Sequence, residues 1–462
     1  MSTTTAEYVE SVDPASGEVI ARHRLHGADE VDAALERAHT RQRAWRTTSF
    51  EERAAVLHAI AAELRSARED AAALITAEMG KTLHEARAEI DKSAWCCEYY
   101  AENGAAQLAP DPIATEWRDC FVQFPPLGVV LAIMPWNYPV WQLVRAAAPA
   151  LMAGNTVVLK HASNVTGSAL LLERLFASAT PSLLETIVVR AGTVAGVIAD
   201  ARIAAVTLTG SEQVGRSVAG VCAQQLKKSV LELGGSDAFI VLADADVEQA
   251  AAMAVKARFV NAGQSCVAAK RFVVVEQVAD AFAEAFVEGV RALRVDDPAA
   301  DGVDLGPMAR ADLRDELAAQ VRAGVRDGGA LLTGGDPPQR AGAWFTPTVV
   351  AVEPGNALAR EETFGPAAAL LRVPDAEAAI ELANASPYGL SSSLWTRDLE
   401  LARALAPRIE AGAVFVNTMT ASDPRVPFGG VKRSGWGREL GSYGIREFVN
   451  AQAVTIAPRR AG

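Results

Sequence analysis

Cys266 stands in a run of small residues, Gly263-Gln264-Ser265-Cys266-Val267-Ala268-Ala269, between two differently patterned segments. Residues 247–260 are amphipathic and read as a helix, which Gly263 closes. Phe272-Val273-Val274-Val275 is β-branched and apolar and reads as a strand. The thiol therefore sits in a helix-to-strand loop, a place where a rigid scaffold presents reactive side chains. As a thiolate it is a strong nucleophile. An arbitrary cysteine is more often a buried packing group, so the reading depends on what else the chain brings beside it. Thr209-Gly210-Ser211 follows a predicted strand and opens a helix. A glycine and a hydroxyl at a helix N-terminus suit a phosphate, through free N–H groups and the helix dipole. Asn137 (in Pro135-Trp136-Asn137-Tyr138-Pro139), Lys160 and Glu232 (before Leu233-Gly234-Gly235) also fall at strand ends.

The elements that must position these groups are legible as alternation. Residues 10–25 form a predicted hairpin around the turn Asp13-Pro14-Ala15-Ser16-Gly17. Three helices follow: one over 30–45, one opened by the capping-box spacing of Ser49-Phe50-Glu51-Glu52 and closed by Gly80, and one from Thr82-Leu83-His84-Glu85 to Asn103-Gly104. Residues 116–124 are extended and read as an arm. Strands at 128–134, 156–160, 185–189, 203–208 and 228–233 alternate with helices, which predicts a parallel, doubly wound sheet with ligands at the carboxyl ends of its strands. A second α/β region then carries Cys266, helices at 278–293 and 309–326, strands near 330 and 349, the segment Glu361-Glu362-Thr363-Phe364-Gly365-Pro366, and strand, helix, helix, strand up to Asn417. Pro427-Phe428-Gly429-Gly430 is the last marked loop.

A chain of 462 residues exceeds one ordinary core, so two or three domains are expected. Half its residues are hydrophobic, yet no apolar run is long enough for a membrane span, and the polar start, Met1 to Tyr8, lacks the apolar core of a signal peptide. The net charge of −12, with no long basic run, disfavours nucleic acid and anionic membranes as partners. Five cysteines argue against a disulfide framework and for a reducing, cytoplasmic setting.

Seven motifs in order, from Met134-Pro135-Trp136-Asn137 through Lys160, Thr209-Gly210-Ser211, Leu231-Glu232-Leu233-Gly234-Gly235, Gly263-Gln264-Ser265-Cys266 and Glu362-Thr363-Phe364-Gly365-Pro366 to Pro427-Phe428-Gly429-Gly430, resemble those of the aldehyde dehydrogenase superfamily. The likeness runs from about residue 10 to 455 and is nearest to the succinate-semialdehyde dehydrogenase branch. It implies an α/β fold: a Rossmann-type cofactor domain (1–112 and 127–234), an α/β catalytic domain (235–440) and a small β oligomerisation arm (113–126 and 441–462). It implies NAD(P)-dependent oxidation of an aldehyde to an acid through a Cys266 thiohemiacetal and thioester. Asn137 and the Cys266 N–H would hold the oxyanion, and Glu232 would activate water. Trp136, Lys160, Ser163, Gly210, Ser211, Leu233, Glu362 and Phe364 would bind the cofactor, and no metal is needed. The expected partners are a small aldehyde and further copies of the chain, as a homodimer or homotetramer.

Departures from the family refine this. His161 replaces the proline that often follows the lysine and is given no role, and Ala268 replaces a second cysteine found in some relatives, so no redox disulfide is expected there. Cys96, Cys97, Cys120 and Cys222 match no catalytic position. Ser163 occupies the place of an acidic residue that repels the 2′-phosphate of NADP in NAD-preferring relatives, so NADP should be accepted, with NAD usable. Arg145, Arg271 and Ser422 match carboxylate-binding positions of the succinate-semialdehyde branch, which makes that aldehyde the expected substrate. A broad-specificity enzyme, or one for another ω-carboxylated aldehyde, is the alternative. A coenzyme A-acylating relative often lacks the base that Glu232 supplies, and a catalytically silent protein of the same fold would be signalled by loss of Cys266 or Glu232.

Overall fold

The computed structural model describes residues 7–457; the first six residues of the polar start and the last five of the expected arm lie outside them. The predicted hairpin is present, with Tyr8–Val12 antiparallel to Val19–Arg24. The helix expected between Ser49 and Gly80 is two, Phe50–Ser66 and Arg68–Met79, because the chain leaves helical geometry at Ala67. Gly80 closes the second in a left-handed conformation. The long helix α1, Leu83–Gln107, starts at a Thr82–Glu85 capping box.

The cofactor-type sheet contains β1 (Val129–Met134), β2 (Thr156–His161), β3 (Leu184–Thr186), β4 (Ile203–Thr209) and β5 (Lys228–Glu232). All six residues of β1 are buried, which is why it reads as continuous apolar sequence rather than as alternation. Helix α2, Trp141–Met152, connects β1 to β2, and α3, Glu212–Gln224, follows β4. The second sheet contains β6 (Asp237–Val241), β7 (Ala269–Val275), β8 (Ala330–Thr333), β9 (Thr348–Ala351), β10 (Ala367–Val373), β11 (Ser391–Trp395) and β12 (Ala413–Val416). Helix α4, Val247–Phe259, leads into the Cys266 loop. A two-residue strand β13, Gly435–Trp436, returns to the first sheet.

The strand orders are β13-β5-β4-β1-β2-β3 and β8-β9-β10-β7-β6-β11-β12. Every pairing is parallel except the outermost β13–β5 and β8–β9. Strands β6 and β11 lie inside the second sheet and add to the expected set. Three short antiparallel strands, Asp111–Pro112, Asp119–Gln123 and Gln452–Ile456, form a separate small sheet where the arm was expected. Among the described residues no helix is long and apolar enough to cross a membrane.

Candidate active site

Helix α4 ends at Phe259, and the backbone then does something a helix cannot. Asn261, Ala262 and Gly263 take positive φ values of 55°, 51° and 70° in succession. Only at Gly263 does space itself forbid a side chain, since a Cβ there would lie 2.4 Å from the Gly365 carbonyl oxygen. The turn is held by side chains rather than by repetitive bonds. Arg258, fully buried, donates to the carbonyls of Gly263 (3.0 Å), Ala269 (2.9 Å), Thr363 (3.1 Å) and Gly365. Lys270, also fully buried, donates to the carbonyls of Ser265 (3.0 Å) and Cys266 (2.7 Å) and lies 3.8 Å from Glu362. These two cations lock the cysteine loop to the Glu362–Phe364 segment.

Cys266 stands where two cavities of about 220 Å³ each come together, because it and Gln142 line both. The first cavity is walled by Trp136, Gly210, Ser211, Leu233, Glu362 and Phe364. The Ser211 hydroxyl caps α3 by accepting from the Val214 N–H, and Trp136 meets Phe364 edge-on at 5.7 Å between centroids. Glu362 accepts from the Gly235 N–H at 3.0 Å. A helix N-terminus suits a pyrophosphate, a carboxylate suits a sugar hydroxyl and aromatic side chains suit a flat ring, so the residues present fit a dinucleotide. Lys160 and Ser163 stand outside this cavity at the carboxyl end of β2; Ser163 is exposed and opens a small cleft beside His161. His161 is buried, contacts the Pro139 carbonyl at 2.9 Å, and is pushed down to about 4, so it stays neutral.

Asn137 is fixed from both ends of its amide. Its Nδ2 donates to the Gln264 carbonyl (2.9 Å), leaving one N–H uncommitted, while its Oδ1 accepts from Gln142 (3.0 Å). Among the described residues the Cys266 N–H has no acceptor. Burial pushes the Cys266 thiol up to about 11, against the pull of Arg145 and Lys270. Glu232 ends β5 fully buried, with both carboxylate oxygens unpartnered among the described residues. It lines neither cavity and lies against Gly429, where a Cβ would come within 2.7 Å of Oε1. Desolvation, reinforced by Glu439, raises it well above the usual carboxylate range, with Arg145 and Arg438 opposing.

The second cavity holds Arg145 and Ser422 but not Arg271. Arg145 is ion-paired with Glu439, donates to Thr209 Oγ1 at 3.1 Å and lies 4.7 Å over the Phe428 ring, so its charge is already matched. Arg271 corrects the sequence reading. Its guanidinium donates to the carbonyls of Ser236 (2.9 Å), Leu382 (2.8 Å) and Ala383 (3.0 Å), and it faces a different, small cleft. Five residues beyond Cys266, it is already inside β7, where the strand direction turns it away. Sequence reasoning missed Lys92, whose Nζ donates to Ser422 Oγ at 2.9 Å and sits 4.4 Å from the Trp141 ring centroid. It lies mid-helix on α1, in no motif, and nothing local marks it. The buried Arg258, Lys270 and Glu439 were likewise unmarked. All five cysteines are free.

The aldehyde dehydrogenase family model matches residues 1–454. A succinate semialdehyde dehydrogenase [NAD(P)+] of Escherichia coli K12 is 47% identical over 457 residues, covering 98% of this chain and 99% of that one. A succinate-semialdehyde dehydrogenase [NADP(+)] of Mycobacterium tuberculosis H37Rv is 46% identical over 97% of this chain and 100% of its own length. The solved succinic semialdehyde dehydrogenase of Streptococcus pyogenes, in complex with NADP+, superposes with a TM-score of 0.95 at 36% identity, covering 97% and 100% of the two chains. With the Cys266 loop, the cavity walled by Trp136, Ser211, Glu362 and Phe364, and these relatives in agreement, the chain belongs to the aldehyde dehydrogenase family.

Proposed function

We propose that this chain oxidises succinate semialdehyde to succinate with NADP or NAD as the hydride acceptor. The observation that carries this reading is the position of Cys266, at the meeting of a cavity walled by Trp136, Gly210, Ser211, Glu362 and Phe364 and a largely apolar one that contains basic side chains. The names of the relatives at 46–47% identity supply the aldehyde and the cofactor. Cys266 gives its proton to solvent and its sulfur bonds the aldehyde carbon, giving a thiohemiacetal whose oxygen carries the negative charge. The uncommitted Asn137 N–H and the Cys266 N–H face the negative oxygen. A bound nicotinamide supplies the acceptor for the hydride that leaves this carbon, and a thioester remains on Cys266. Glu232, once ionised, takes a proton from water as its oxygen attacks the thioester; the C–S bond breaks and the acid departs. Trp136 and Phe364 would hold the nicotinamide, Glu362 its ribose, and Gly210 with Ser211 the pyrophosphate. Lys160 and Ser163 would hold the adenosine end, where a neutral hydroxyl would not repel a 2′-phosphate.

The homo-oligomer is part of the same proposal, with the three-stranded arm as its contact. The test of the activity is kcat/KM for succinate semialdehyde and for butanal, with NADP and with NAD and without coenzyme A, followed by nicotinamide absorbance. Succinate semialdehyde should be the better substrate and NADP should serve. Preference for butanal would make the chain a broad aldehyde dehydrogenase, and strict dependence on coenzyme A would make it an acyl-transferring one.

A further inference from the structure

We propose that Lys92, with Ser422 as its partner, is the side chain that reads the far carboxylate of the substrate. The inference rests on the ω-carboxylated aldehyde reading and concerns which residue enforces it.

Three basic side chains compete for the role, and their existing bonds decide between them. Arg271 has its donors spread over three backbone carbonyls and faces another cleft. Arg145 faces the cavity but is neutralised by Glu439. Lys92 faces the same cavity as Cys266, and among the described residues no carboxylate stands within ion-pairing distance of it. The nearby acids are spent elsewhere. Glu85, which also lines the cavity, accepts from the Asn261 N–H at 2.6 Å and from Thr82; Glu89 pairs with Lys81 and accepts from the Val140 and Trp141 N–H groups; and Asp423 is held by Arg425 at 2.6 Å.

Ser422 completes the argument. Its oxygen accepts from Lys92 Nζ (2.9 Å) and from Trp141 Nε1 (3.0 Å), so both lone pairs are taken. Its own O–H hydrogen therefore has to point elsewhere, and among the described residues it donates to no protein acceptor. An ammonium with two further N–H groups and a hydroxyl obliged to donate, backed by Trp141, form a receptor for a carboxylate. The walls of Tyr138 and Phe428 keep the surroundings poor in water, which strengthens such a contact. Burial, with the field of Arg145, pulls Lys92 down to about 8, a cation short of a counter-charge.

The experiment compares Lys92→Met and Lys92→Arg with the parent protein by the ratio of kcat/KM for succinate semialdehyde to that for butanal. The ratio should fall about ten- to hundredfold in Lys92→Met, the loss typical of one charge-assisted contact, and recover in large part in Lys92→Arg. Inhibition of butanal oxidation by succinate should weaken by a similar factor in Lys92→Met. In the parent the ratio should also fall as pH rises through 8, as Lys92 loses its proton. The groups around it are Glu85, Glu89 and Cys96 on α1, Arg145 on α2, Tyr138 and Cys266 on the cavity wall, and Asp423 beyond β12. Asp423 is held below its usual range, burial raises Glu85, Tyr138 and Cys96, and Cys266 is pushed up to about 11, where its ionisation would act on both aldehydes alike and cancel in the ratio. A parent that favours butanal defeats the substrate reading. A parent that favours succinate semialdehyde, with a ratio and a succinate inhibition that Lys92→Met leaves unchanged, defeats the role of Lys92 alone.

Discussion

At the scale of single residues the proposed chemistry rests on a thiol that is not born reactive. With Cys266 pushed up to about 11, cofactor-free protein near neutral pH holds it protonated, and thiolate appears only as pH rises. Alkylation of Cys266 by iodoacetamide should therefore accelerate about tenfold per pH unit between pH 7 and 10, without levelling off. A plateau near pH 8 would mean that Arg145 and Lys270 outweigh burial. Cys266→Ala should abolish oxidation while a nicotinamide dinucleotide still binds, read by calorimetry. Glu232→Gln should trap acyl-enzyme, visible as a mass adduct on Cys266 after one turnover; unmodified thiol under turnover conditions would remove Glu232 from the hydrolytic step. Cys266, Glu232 and Asn137 could be named as candidates from the sequence because each stands in a motif at a strand or helix end; the fold puts Cys266 and Asn137 on one cavity and Glu232 on neither. Arg271 shows where that reasoning fails. Proximity in sequence to a nucleophile fixes a distance along the chain but not the face of the strand on which a side chain emerges, and three backbone carbonyls claimed this one.

Elements whose residues have a strong local signature were legible, and those whose residues act at a distance were not. Strand β11 begins Ser391-Ser392-Ser393, three poor strand formers, and passes unnoticed. In the fold all three are buried, with hydroxyls donating to the Asp237 carboxylate, the Ala238 carbonyl and the Thr418 carbonyl, so pairing partners replace propensity. The N-terminus of α2 is organised in the same way from afar. Glu89 on α1 accepts from the Val140 and Trp141 N–H groups at 2.8 and 3.0 Å and is itself paired with Lys81, both fully buried. Lys81 also lies 3.9 Å over the Tyr138 ring, beside Asn137. Lys81→Met strands the Glu89 charge in the interior and should cost about 3–5 kcal/mol. Lys81→Met with Glu89→Gln keeps an acceptor for the two N–H groups and removes the charge, so it should recover most of that loss. Urea denaturation of both variants decides; a single-variant cost below about 1 kcal/mol, the range of exposed pairs, would show that the pair is not what anchors α2.

At the scale of the whole molecule, the two parallel sheets account for the site, but the three-stranded arm serves no side chain in it. Its architecture was legible as an extended segment set apart from the helices before it; what covers it, a second copy in the reading proposed above, is not written in the sequence of one chain. The arm contains Gln452–Ile456, a strand that among the described residues is paired on one side only, with Asp119–Gln123, and whose every residue but Val454 is exposed. A bare five-residue edge is a template for another strand. Ile113, Trp117 and Ile456 add exposed apolar surface to the same arm. It is anchored to the body by Arg446, which pairs with Asp111 at 3.2 Å and lies 4.2 Å over Phe124, so it projects as a fixed structure. Ending the chain after Asn450 removes that edge strand and leaves both sheets and the Cys266 loop intact. The truncated protein should therefore run as a monomer of slightly less than 48.7 kDa by light scattering, where the full chain gives a multiple of that mass. It should still bind a nicotinamide dinucleotide, since no residue of either cavity is lost. A truncated protein that keeps the full oligomer would place the contact between copies elsewhere on the surface.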